Sequence, residues 1–84
     1  MEGTEDILAV LTELQEDPTI PRNVKAKVEN TIQALKEDED ASIIISKALN
    51  EIEEIADDPN MQSFTRTQIW NVISMLEKLG NGKK

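Results

Sequence analysis

Apolar residues recur every three or four positions along most of this chain, and the recurrences fall into four runs separated by proline or charge. Ile7, Leu8, Leu11 and Leu14 mark the first, and the spacing predicts a helix over Thr4–Glu16. Thr4 is placed to cap it, with Glu5 and Asp6 in the first turn favouring its positive end. Pro18 and Pro21 then interrupt the pattern, and Pro21 suits the first turn of a second helix whose face is Val24, Val28, Ile32 and Leu35. The charged run "KEDEDAS" ends that helix and offers Asp38 or Asp40 as the next cap. "IIIS" taken alone has strand character, because β-branched residues suit a sheet. The three-to-four spacing continues through Ile44, Ile45, Ala48, Leu49, Ile52, Ile55 and Ala56, which decides for a third helix. The fourth carries Ile69, Val72, Ile73, Leu76 and Leu79. Thr65 with Gln68 has capping-box spacing at its start, and Gly80 is a natural stop. Lys83 and Lys84 follow as a tail suited to the negative end of that helix.

Laying Pro18 on Pro59 exposes a repeat. Leu8, Leu11 and Leu14 fall on Leu49, Ile52 and Ile55, and Val28, Ile32 and Leu35 fall on Ile69, Ile73 and Leu76. Polar positions also match: Glu13 with Glu54, Asp17 with Asp58, Lys25 with Arg66, Asn30 with Asn71. A unit of helix, Asp-Pro turn and helix, used twice, resembles HEAT-type hairpins. Two units are too few for an open array, so the expected fold is all-α. It is a single domain, a four-helix bundle of two similar αα-hairpins at about residues 4–37 and 41–80. Asp17 and Asp58 are expected to bond exposed amides at the two turns, with Lys25 and Arg66 reaching back toward them.

Composition narrows the chemistry. The 84 residues include no Cys and no His, which removes thiol nucleophiles, disulfides and the usual neutral-pH acid–base group. Seventeen acidic residues against nine basic give a net charge of -8, which opposes phosphate backbones and anionic lipid, so nucleic acid and membrane are not expected partners. An acidic N-terminus and the lack of a long apolar run point to a cytoplasmic protein.

The stretches "DPTIPRN" at Asp17–Asn23 and "DPN" with "TRTQIW" within Asp58–Trp70, set in a pattern running from Ile7 to Leu79, resemble uncharacterised protein family 0147. That resemblance implies a compact all-helical archaeal protein and carries no assigned activity.

Three site readings follow from the residues. Glu13 with Asp17 and Glu54 with Asp58 are carboxylate pairs at i,i+4, a spacing that could serve a cation. The Glu-x-x-His element of di-iron bundles and the Ca²⁺ loop pattern are both absent, so no metal or cofactor is assigned. Ser63, Thr65 and Thr67 beside Arg66 suggest an anion or nucleophile site at a helix start. With no general base nearby, capping accounts for those hydroxyls and no catalytic residue is assigned. The third reading is a contact surface: Trp70, at the border of the apolar stripe and flanked four residues away by Arg66 and Ser74, with Met61 or Phe64 at its edge. The competing reading has Trp70 plug a gap inside the bundle, and spacing leaves both open. The duplicate position of Trp70 is Glu29, so the fold does not need an aromatic there in both halves. The expected function is a non-enzymatic interaction or oligomerisation module whose partner is another protein or a second copy. The alternative is a small ligand- or metal-binding protein or enzyme using the carboxylates or an anion site near Arg66.

Overall fold

The computed structural model describes residues 3–81, of which Asn81 is described only in its backbone. Four helices form: α1 (Thr4–Glu16), α2 (Arg22–Leu35), α3 (Ala41–Glu53) and α4 (Ser63–Asn81). Each packs on two neighbours, α1 and α3 both lying against α2 and α4, and among the described residues neither diagonal pair brings its backbones close together. The arrangement is therefore a closed ring of helices around one core, 36 × 20 × 19 Å overall.

The helical faces foreseen from spacing supply that core. Ile7, Leu11, Val24, Val28, Ile52, Ile69, Val72 and Leu76 are all fully buried, and each such aliphatic contributes on the order of 1.5–3 kcal/mol by leaving water. Thr31 is buried among them because its hydroxyl donates to the Lys27 carbonyl at 2.8 Å, one turn back, and so stays satisfied.

Several ends differ from the expectation. Gly3, not Thr4, stands before α1 with φ of 90°, and Thr4 is a buried helical residue. The backbone angle calls for glycine, and Leu79 Cδ2 of α4 lies over the same residue, 2.5 Å from where a Cβ would stand. Pro21 sits immediately outside α2, where its fixed φ leads the chain in. Asp40 precedes α3 and accepts the Ile44 amide through its backbone carbonyl, with no side-chain cap bond. α3 stops at Glu53 although Ile55 and Ala56 remain buried, because Ile55 and Ala56 donate to Ile52 and Glu53 in tighter i→i−3 bonds. Thr65 lies inside the first turn of α4 and is buried, so the capping box with Gln68 does not form there. Gly80 continues the helix to Asn81 and does not stop it. The tail lysines Lys83 and Lys84 lie outside the described residues.

α2 and α3 are also registered by a polar seam. Asn23 donates to Asp58 Oδ2 at 2.6 Å, Lys27 pairs with Glu54 at 2.7 Å and Glu51 at 3.1 Å, and Asn30 donates to Glu51 at 3.3 Å. Numbers rise along α2 as they fall from the second turn back into α3, as in an antiparallel pair. The Glu54 hydrogen bond, then that of Glu51, holds the Lys27 ammonium above its ordinary value, and Lys27 in turn holds Glu51 below the usual carboxylate range.

Candidate functional site

The two Asp-Pro turns share one device. Asp17 Oδ1 accepts the Thr19 amide at 2.8 Å and Asp58 Oδ1 accepts the Asn60 amide at 2.8 Å, each an Asx turn that spends a carboxylate oxygen on local backbone. The Thr19 hydroxyl and amide hold Asp17 below the usual carboxylate range, and the Asn60 amide with the Asn23 side chain does the same for Asp58. These carboxylates are therefore engaged in turn and seam bonds. Glu54 is on Lys27, and no group of three acidic side chains is gathered at metal-binding distances among the described residues.

Arg66 reaches back across its turn as expected, but to backbone: Nη2 donates to the Asp58 carbonyl at 2.8 Å, and Nε is buried without a hydrogen-bond partner. The guanidinium acts as a strap over the second turn, and its charge helps hold Asp58 ionised. Thr67 donates to the Ser63 carbonyl at 3.1 Å, again a local bond.

The chain has one Trp and one Phe and no Tyr. Both aromatics are on α4 and both are exposed, Trp70 by 47% and Phe64 by 69%, while the core is aliphatic. Trp70 therefore does not plug the interior. Met61 is a correction: it is 6% exposed and belongs to the core, because the second turn folds its side chain inward, with the Met61 amide bonded to the Asp58 carbonyl. Phe64 is exposed but sits about 120° around the helix from Trp70, since six residues advance about 600°. The surface contains Trp70, Arg66 and Ser74 on one flank and Phe64 on another.

The outward line of α4 is Ser63, Thr67, Trp70 and Ser74, all exposed and spaced four, three and four, on the side opposite Ile69, Val72 and Leu76. From Ser63 to Leu76 its one charged residue is Arg66, whereas α1 carries Glu5, Asp6, Glu13 and Glu16 with no base. The charge contrast was present in the sequence; the outward line became readable only once the start of α4 was fixed at Ser63. A shallow polar groove between α2 and α3, where Asn30, Gln33 and Asn50 meet Glu37, Lys47 and Glu51, was not foreseen. Its charges are already paired, Lys47 with Glu37 at 2.8 Å and Glu39 at 3.2 Å, and Glu51 with Lys27.

These features define an all-α, four-helix protein whose aromatics face outward and whose described helices include none long and apolar enough to cross a membrane. The profile of the uncharacterised protein family UPF0147 matches residues 2–79, and the chain belongs to that family. Among its relatives is a UPF0147 protein of Methanocaldococcus jannaschii, 40% identical over 74 residues, covering 87% of this chain and 80% of that protein. One from Archaeoglobus fulgidus is 34% identical, covering 92% and 88%. Two crystal structures share the fold. The UPF0147 protein of Thermoplasma acidophilum has a TM-score of 0.86 at 29% identity, covering 92% of each chain. The unknown-function protein MMP1188 has 0.84 at 38% identity, covering 90% of this chain and 88% of that one.

Proposed function

We propose that this is a non-enzymatic protein-interaction module of the cytoplasm, with Trp70 and its flank on α4 as the contact surface. The observation that carries the reading is the exposure of Trp70 on a helix whose inner face is already filled by aliphatics. Trp and Arg dominate interface energetics because they offer a large, stiff, amphipathic area, and an exposed indole on a charge-poor face is a poor match to water alone. The net charge of -8 argues against nucleic acid and anionic lipid as the partner.

The test is Trp70→Ala in the full chain. Helical circular dichroism stays as in the parent, unfolding shifts by about 1 kcal/mol or less as for a surface change, and capture of a protein partner or self-association is lost. A strongly destabilised monomer with association unchanged would remove Trp70 as the site.

A further inference from the structure

Resting on that reading of the Trp70 surface, we infer that its occupant is a second copy of this chain, docked α4 against α4, antiparallel, about a twofold axis close to Trp70 and Ser74. Three observations carry this. The outward line Ser63, Thr67, Trp70, Ser74 has the four-three alternation of a two-helix seam, on the side of α4 that no helix of the same chain covers. Three of those four side chains are small, so a facing backbone can approach while each Trp70 fills the space over the second copy's Ser74.

Charge selects the occupant. A chain of net -8 repels its own copy over most of its surface, and α1 alone presents four acids. α2, with Arg22, Lys25 and Lys27 against Glu29, and α4, with Arg66 and Lys78 against Glu77, are the helices on which a second copy meets no net acidic charge, and of these two only α4 carries an exposed indole. A strongly basic partner would be drawn instead to the acidic helices.

The same charges set the direction. Arg66 and Glu77 lie eleven positions apart, hence on one flank of the helix, about 20° from each other. Residues on one flank meet their own kind across an antiparallel pair, so with Trp70 over Ser74 each Arg66 falls beside the second copy's Glu77. Among the described residues Glu77 joins no ion pair within its own chain, and Arg66 keeps Nη1 beyond its bond to Asp58. A 19-residue helix is about 28 Å long and about 10 Å wide, a footprint below that of a standard stable interface, so the contact is of the weak, transient kind. Phe64, on the other flank, lies outside the seam.

Sedimentation equilibrium of the full chain from low micromolar to near-millimolar concentration tests this. Mass should rise from 9.4 kDa toward twice that value. Trp70→Ala and Ser74→Glu should each weaken it at least about 30-fold, the scale of a central hot spot, whereas Phe64→Ala should leave it unchanged. Glu77→Arg should weaken it and Arg66→Glu/Glu77→Arg should restore it, with circular dichroism confirming folded monomers throughout. A chain that stays at 9.4 kDa at every concentration overturns the second copy as occupant. Trp70-dependent capture of a different protein would then still stand for the broader reading. A dimer indifferent to Trp70→Ala and Ser74→Glu overturns the proposed seam.

Discussion

The two Asp-Pro turns begin alike and end differently. At Asp17 and at Asp58 the amide donates to the carbonyl three residues back, the carboxylate takes the amide two residues on, and the next residue, Ile20 or Met61, turns inward and is buried. Beyond this local frame the first turn adds only the Thr19 hydroxyl, at 2.7 Å. The second gathers Asn23 from α2 onto its carboxylate and Arg66 from α4 onto its carbonyl. One local motif thus serves as a simple reversal in one place and as a three-way junction in the other. The difference lies in what the rest of the chain brings to it.

The largest effects are expected at core positions that the sequence repeat lays on one another. Leu11 and Ile52, equivalent under the repeat and both fully buried, should each lose about 2–5 kcal/mol of stability on truncation to Ala. Chemical denaturation of the two variants checks this, and a large loss in one with almost none in the other would break the equivalence of the hairpins. Next come the turns: Asp58→Ala should lower the unfolding midpoint more than Asp17→Ala, because it also removes the Asn23 bond that ties the turn to α2. Equal midpoints would mean the junction adds nothing to the Asx turn.

Acid titration sharpens the same contrast. Asp17, Asp58 and Glu51 are all held below their ordinary values in the folded chain. Their contribution is therefore complete above the ordinary carboxylate range and is lost as pH falls through and below it. Thermal melts from neutral to strongly acidic pH should show declining stability below about pH 4, with a shallower decline in Asp58→Asn. A parallel decline in both proteins would mean that Asp58 is not among the linked groups. The smallest change in stability is expected from Glu29→Trp, which places an indole on α2 at the position equivalent to Trp70. Both sites are exposed, so the midpoint should move by roughly 0.5 kcal/mol or less. A collapse in solubility would show that α2 lacks what α4 provides around its indole.

Much of this was legible in the sequence where one helix settles its own fate. α1 spans the predicted residues, and the faces of α2, α3 and α4 are the ones that spacing names. The errors gather at the ends, where neighbours intervene. Gly80 stays helical because backbone hydrogen bonding continues past it, and Thr65 turns inward because α4 starts earlier, at Ser63. The polar seam was out of reach because Asn23, Lys27 and Asn30 meet partners 21 to 35 positions away, and no local periodicity records such pairings. The border position of Trp70 between apolar and polar stripes left its burial open, and only the packing of aliphatics beneath α4 turns it outward. Met61 was misjudged because a lone methionine in a turn gives no periodic sign of its direction.

The close fit of Gly3 under Leu79 means that the beginning of α1 and the end of α4 meet in space. The order in which the helices are synthesised is then separable from the order in which they touch. A rearranged gene that joins those two points through a short flexible segment and opens the chain at residues 36–40 would preserve every helix–helix neighbour. It would also turn the α2–α3 connection, now a tether of five residues, into a free seam held only by its packing and its polar ladder.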